Sequence, residues 1–327
     1  MQAIVIREFG DASVLQVRQV PAPQYGPSEI RVQVRATALN RADILQRLGH
    51  YPPPHGTRPD IPGLEYAGIV AAIGKRVTLF RPGDRVMGLL PGEGYAEQIV
   101  SHERMALPMP ANLSFEQAAA IPEAFLTAYD ALFRQLKVQT GECCLIHAVG
   151  SGVGLAALQL ANVTGVTTFG TAGSDDKLAK ARRAGLDFGI NYRTEDFQKI
   201  VLSETACNGV DAIIDTVGAA YWHQNIAALA IKGRLALLGL LGGARTDIDL
   251  ADLLVKRITV VGSVLRARPL EEKISLSQEF GRKILPLFER EKLMPNVDSV
   301  FSWKDVAKAH RHMEAARNFG KIVLRIE

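Results

Sequence analysis

Hydrophobic positions along the chain change their rhythm twice. Residues 1–110 carry short β-branched runs broken by Gly and Pro: QAIVIREF, LQVRQV, EIRVQVRATAL, YAGIVAAIG, DRVMGL and YAEQIV. Several alternate apolar with polar positions, the period of a strand with one buried face, and RPGDRV supplies a turn between two of them. This pattern predicts an antiparallel, barrel-like domain. From about Phe115 the pattern becomes helical over FEQAAAIPEAFLTAYDALFRQL, interrupted at Pro122. Strands and helices then take turns. The strands are CCLIHA, VTTFGTA, DFGIN, DAIIDTV, GRLALLGL and RITVVGSV; the helices between them include DDKLAKARRAG, TEDFQKIVLSETA, AAYWHQNIAALAIK and DLADLLVKR. Such alternation predicts an α/β fold with a parallel, doubly wound sheet. The tail follows neither pattern. It predicts a long helix near 270–293, another near 303–316, and a last strand, KIVLRI, free to return to the first domain's sheet.

Composition narrows the class. A chain of 327 residues is too long for one typical domain, and 47% apolar with 22% charged residues is globular, not disordered. The net charge of +4 is spread along the chain, which argues against a nucleic-acid groove. No apolar run reaches membrane-spanning length, and the N-terminal charges do not match a signal peptide. Of three cysteines, Cys143 and Cys144 are adjacent within an apolar run, which argues against a disulfide framework. The expectation is a soluble cytoplasmic protein with no nucleic-acid or membrane partner.

Candidate chemistry begins at HAVGSGVGLAALQLA, where an apolar strand ends in a bend and a helix opens. There a helix N-terminus and the backbone of Ser151, Gly152, Val153 and Gly154 can face a pyrophosphate. The plain G-x-G-x-x-G spacing is not met, because Leu155 stands where the last glycine would fall counted from Gly150. The competing reading is a purely structural turn. The end of the second strand decides which dinucleotide is expected. An acid there would bond the ribose hydroxyls of NAD. This chain has Gly173 and Ser174 instead, with Lys177 one turn on, a set that suits a 2′-phosphate and hence NADPH. Asp175 and Asp176 read as first-turn acids, and Lys177 taken alone also reads as a solvated helix residue. His147 ends an apolar strand and reads as a core histidine.

The segments ATALNRADILQRLGHY, IPGLEYAGIVAAIG, RPGDRV, AAAIPEAFLTAYDAL, HAVGSGVGLAALQLA and GKIVLRI together resemble the medium-chain dehydrogenase/reductase superfamily. More closely they resemble its zinc-independent NADPH:quinone oxidoreductases of the zeta-crystallin type. The resemblance implies a Rossmann-type sheet over 121–265 and a GroES-like, mainly antiparallel β-barrel over 1–120, completed by 266–327. Zinc-dependent members place Cys where this chain has Asn40, and Gly-His-Glu where it has Gly63-Leu64-Glu65, so no metal site is expected. By resemblance Asn40 and Tyr51 stand near the nicotinamide and substrate as catalytic residues, with Asn40 also touching the cofactor. A helix N-cap is the bland reading of Asn40, and a loop aromatic that of Tyr51. Thr127, Gly239, Leu240 and Leu265 match residues lining the nicotinamide pocket. Tyr192 matches one beside the 2′-phosphate, and Arg317 one near a C-terminal cofactor contact.

The implied activity is NADPH-dependent quinone reduction in the cleft between the domains. A quinone accepts electrons without a Lewis acid, so the protein need supply only orientation and a dry slot. One alternative is reduction of an activated double bond, for which Tyr51 is the candidate proton donor. Another is an NADPH-binding protein without turnover. The family also implies a homodimer, with RITVVGSV pairing across a two-fold axis.

Overall fold

Seven strands precede the α/β alternation: β1 (Gln2–Ile6), β2 (Leu15–Gln19), β3 (Glu29–Ala38), β4 (Glu65–Ile73), β5 (Arg85–Leu89), β6 (Gln98–His102) and β7 (Ala106–Pro108). Six more form the alternating unit: β8 (Cys143–Ile146), β9 (Thr167–Ala172), β10 (Phe188–Asn191), β11 (Val210–Asp215), β12 (Leu229–Leu237) and β13 (Thr259–Gly262). Two close the chain, β14 (Val297–Ser302) and β15 (Lys321–Arg325). This computed structural model describes all residues, 1–327, in two units: 1–126 with 265–327, and 127–264.

In the first unit one sheet runs β14-β15-β3-β4-β5-β7, with β6 also paired to β3, and β1-β2 form a separate hairpin. Every pairing is antiparallel except β14 with β15. β3 is the hub. Ile30, Val32 and Val34 face the core, as its alternation predicts. The last strand does return to this sheet, with Val323, Leu324 and Arg325 of β15 opposite Ala38, Thr37 and Ala36 of β3.

In the second unit six parallel strands run β10-β9-β8-β11-β12-β13. Numbered within the unit this is 3-2-1-4-5-6, the Rossmann order, and it reverses direction between β8 and β11. Dinucleotides bind outside the carboxyl ends of strands at such a reversal.

Three sequence expectations need correction. The helix expected through AAYWHQNIAALAIK ends at Ala228, and Leu229 already belongs to β12. The apolar positions there serve a strand held on both sides, by β11 and β13. The helix expected near 270–293 is two: Leu270–Lys283 and Leu285–Glu289. Pro286 lacks the N–H that would bond back one turn, so the first helix cannot run through it. Finally, β14 was not anticipated. Its residues are all partly or fully exposed, because it lies at the sheet edge; Ser299 interrupts its inward positions, and Phe301 packs against the core.

Candidate functional site

In the first unit a buried polar cluster joins four distant segments. Asn40 is the N-cap of helix Arg41–Arg47, and its N–H donates to Asp43 Oδ2 at 2.7 Å. Its side chain is turned elsewhere: Nδ2 donates to Glu65 Oε1 at 2.8 Å, and Oδ1 accepts from Lys321 Nζ at 2.7 Å. Lys321 also donates to Glu65 Oε1 at 2.7 Å and to the Leu39 carbonyl at 2.8 Å. Both members of this ion pair are buried, so removing one would strand a charge. Glu65 Oε2 accepts the backbone N–H of Glu123 at 2.8 Å. Zinc-dependent relatives place thiolate and imidazole at the positions of Asn40 and Leu64. Here an amide and an alkyl side chain stand there, and an ammonium donates into the cluster. This donor set does not fit zinc, and nowhere do three His, Cys, Asp or Glu side chains gather to hold a metal.

Tyr51 lies beside Arg266. The guanidinium stands 5.1 Å from the ring centroid, donates to the Tyr51 carbonyl at 3.1 Å and to that of Pro91 at 2.7 Å, and reaches Gln46 Oε1 at 2.5 Å. One contact of the Tyr51 ring is therefore with a cation. Burial raises its phenol above the usual value, with Arg266 opposing and Glu123 adding to the rise. Next to these groups is a mostly apolar cavity of about 180 Å³, lined by Leu89, Leu90, Met105 and Leu265, with Glu123 and Arg266 among its polar walls. Burial, then the charge of Glu65, pushes the Glu123 carboxyl up to about 8, against the pull of Lys321 and Arg266. Asp43 is raised to about 6, again chiefly by burial.

In the second unit the bend after β8 leads into helix Gly152–Thr164. Ser151 caps that helix, its hydroxyl accepting from Gly154 N at 3.0 Å. The left-handed residue of the bend is Ala148, at φ 52°, rather than a glycine. Gly154 is required by packing: a Cβ there would lie 2.4 Å from the Ala148 carbonyl oxygen and 2.7 Å from Val149 Cα. The helix start thus sits tightly against the strand end, at the switch point, with Gly152 and Val153 in its first turn.

Past β9, Ser174 caps helix Asp175–Arg183 and accepts from Lys177 N at 3.4 Å. A Cβ on Gly173 would meet the Tyr192 hydroxyl at 2.6 Å and Arg193 Nε at 3.2 Å. Gly173, Ser174, Tyr192 and Arg193 therefore converge, with Lys177 in the adjoining first turn. The two acids have other partners: Asp175 accepts from Asn191 Nδ2 at 2.8 Å, and Asp176 pairs with Lys180 at 2.8 Å. Arg193 escaped the sequence reading because it follows Tyr192 in a polar loop and matches no motif.

The remaining sites fall as follows. Thr127 Oγ1 is buried and has no hydrogen-bond partner, and so is Thr216 Oγ1, in the loop after β11. Gly239 packs against Thr216, whose carbonyl oxygen would be 3.0 Å from an added Cβ; Leu240 is exposed. Leu265 is buried and belongs to the first unit, in the cavity wall. Arg317 is exposed on the segment after helix Val306–Glu314. His147 is a buried core residue, bonded to Thr171 Oγ1 at 3.0 Å and Asn225 Oδ1 at 2.7 Å. The cysteines are all free. Lys321, Arg266, Glu123 and Thr216 join Arg193 as residues the sequence did not single out.

Residues 26–123 match the alcohol dehydrogenase GroES-like domain, and residues 152–279 the zinc-binding dehydrogenase family. The chain is 33% identical over 324 residues to a quinone oxidoreductase of Pseudomonas aeruginosa, covering 97% of each. Among solved structures, an NAD-dependent alcohol dehydrogenase matches with a TM-score of 0.90 at 35% identity over the full length of both chains. The CurK enoyl reductase matches at 0.86 and 28%, covering 100% of this chain and 99% of that one. The fold and these likenesses define an oxidoreductase that uses a nicotinamide cofactor. The chain belongs to the medium-chain dehydrogenase/reductase superfamily, on its zinc-independent, quinone oxidoreductase-type branch. No helix is long and apolar enough to cross a membrane.

Proposed function

We propose that the chain is a zinc-independent, NADPH-dependent quinone reductase. The observation that carries this reading is Lys321, donating to Asn40 and Glu65 in a cluster that offers no thiolate or imidazole to a metal. Without a Lewis acid, alcohol oxidation loses the metal that would acidify the hydroxyl, whereas a quinone takes electrons readily. The similarity to the Pseudomonas aeruginosa enzyme supports the same acceptor. Bound NADPH would supply a hydride. Ser151, Gly152, Val153 and Gly154 would face its pyrophosphate, and Ser174, Lys177, Tyr192 and Arg193 its 2′-phosphate. Thr127, Gly239 and Leu240 would line the nicotinamide. Leu265 would join that lining, Asn40 and Tyr51 would stand near the nicotinamide and the acceptor, and Arg317 remains the C-terminal candidate.

Turnover of a panel of quinones and enones with NADPH and NADH tests the reading. Quinone reduction that prefers NADPH supports it, and activity confined to alcohols or to zinc-loaded protein refutes it. Lys177→Ala should weaken NADPH by roughly ten- to a hundredfold, the worth of a charge-assisted phosphate contact of about 1.5–3 kcal/mol, and leave NADH nearly unaffected. A second reading, double-bond reduction, is favoured by the acid in the cavity wall and the likeness to the enoyl reductase. Enone turnover exceeding quinone turnover would select it, and tight NADPH binding with no turnover would select a binding protein.

The proposed setting is a cytoplasmic homodimer. β13 is the edge of its sheet, and Val260, Leu254 and Val255 near it are exposed. Light scattering that returns a monomer at micromolar concentration removes the dimer.

A further inference from the structure

The wall of the cavity in the first unit includes a carboxyl that its surroundings leave unused. Glu123 stands in the first turn of helix Pro122–Tyr129, and its backbone N–H is committed to Glu65. Its carboxyl makes no hydrogen bond or ion pair with any side chain, and the residue keeps part of its surface open. The neighbours are occupied. Lys321 donates to three acceptors and Arg266 to three, while Asn40 is spent on Glu65, Lys321 and the Ala38 carbonyl. An unpaired acid on the wall of a mostly apolar cavity, next to a guanidinium without a carboxylate partner, is placed to meet a ligand.

We propose that Glu123 is the catalytic acid, giving its carboxyl proton to the acceptor oxygen that gains negative charge during reduction. This rests on the reductase reading. Bound NADPH would supply the electron pair as a hydride, which would form the acceptor's other new bond. The Oε–H bond of Glu123 breaks, and an O–H bond forms on the acceptor. The Glu123 carboxylate then takes a proton from water. The sum is NADPH, a proton and the acceptor giving NADP⁺ and the reduced acceptor. A quinone and an enone both develop charge on oxygen, so one acid serves either.

The electrostatics fit this role. Glu65 from β4 and Asp43 from helix Arg41–Arg47 disfavour a second carboxylate, and Lys321 from β15 and Arg266 temper that effect. Lys273 and His102 also line the cavity, with Glu29, whose carboxylate accepts from Gly26 N. The balance leaves Glu123 protonated at neutral pH, with a value of about 8. Tyr51 is the weaker donor, because its phenol is raised from an already high value.

The test uses the whole protein and two readouts. In ligand-free protein, infrared spectra should show a protonated-carboxyl band that vanishes as pH rises through about 8 and is missing from Glu123→Gln. In turnover with NADPH, wild-type kcat should fall above that pH. Glu123→Gln should lower kcat by roughly 10²–10⁴-fold and abolish that limb, with NADPH affinity unchanged. Glu123→Asp keeps an acid and should keep a descending limb, and it serves if the Gln variant does not fold. An active wild type with an indifferent Glu123→Gln variant, or no titrating band, overturns the acid alone. A wild type that binds NADPH and reduces neither quinones nor enones overturns the reductase reading as well.

Discussion

The two units build their candidate sites from opposite materials. The first uses charged side chains buried together: Glu65, Lys321, Asp43 and Arg266. The second relies mainly on backbone and neutral groups at its helix start: a capped first turn, glycines pressed against backbone or side chains, and hydroxyls left without partners, with Lys177 and Arg193 the charged groups near Ser174. The contrast fits the two tasks proposed for them. A pyrophosphate brings its own charge and needs only oriented N–H groups. A hydride acceptor is neutral, and charge appears on it only during reaction, so the protein must hold the compensating groups in place beforehand.

The difference predicts unequal sensitivity to substitution. Lys321→Met leaves the Glu65 carboxylate buried without its cation and should cost about 3–5 kcal/mol in urea unfolding. Adding Glu65→Gln should recover much of that loss. A cost below 1 kcal/mol for the single change would mean that water reaches the pair. Buried neutral histidines occur in both units, and acid should therefore strike both. His147 is pushed down to about 4 and His310 to about 3, mainly by burial. The unfolded chain binds protons as pH falls through about 6.5, while the folded protein does not, so stability is full above that value and declines below it. The slope is ~1.4 kcal/mol per pH unit for each histidine, down to its folded value. His147→Gln and His310→Gln should each flatten the pH dependence of urea unfolding by one proton between pH 6.5 and about 4. In the second unit, Gly154→Ala drives a methyl into the Ala148 carbonyl and should cost about 1–3 kcal/mol, with weaker cofactor binding. Tyr51→Phe should change kcat by a few-fold at most, since the ring and its Arg266 contact survive; a loss matching that of Tyr51→Ala would return the acid to Tyr51.

Legibility followed the same division. The strands of the second unit could be read because short apolar runs bounded by turn residues form a parallel sheet whose central strands are buried on both faces. The helix start after β8 could be read because its chemistry lies within seven consecutive residues. The Glu65–Lys321 pair could not: its members are 256 positions apart, and Lys321 sits in a strand whose neighbours are apolar. Glu123 was hidden differently. An acid just after a helix-starting Pro reads as a favourable first-turn charge, and only the fold shows what surrounds it. The bend after β8 also held a surprise, because its left-handed position belongs to Ala148.

The return of β15 to β3 has a consequence for synthesis. The second unit is contiguous, and its chain is complete once residue 264 is made. The first unit cannot be finished then. β3 lacks β15, and Glu65 lacks its cation, until Lys321–Arg325 emerge. The first 126 residues must therefore wait, partly assembled and with apolar strand faces uncovered, while about two hundred more are translated. At ordinary elongation rates that interval lasts on the order of ten to forty seconds. Chaperone demand during translation should accordingly fall on the early half of the nascent chain.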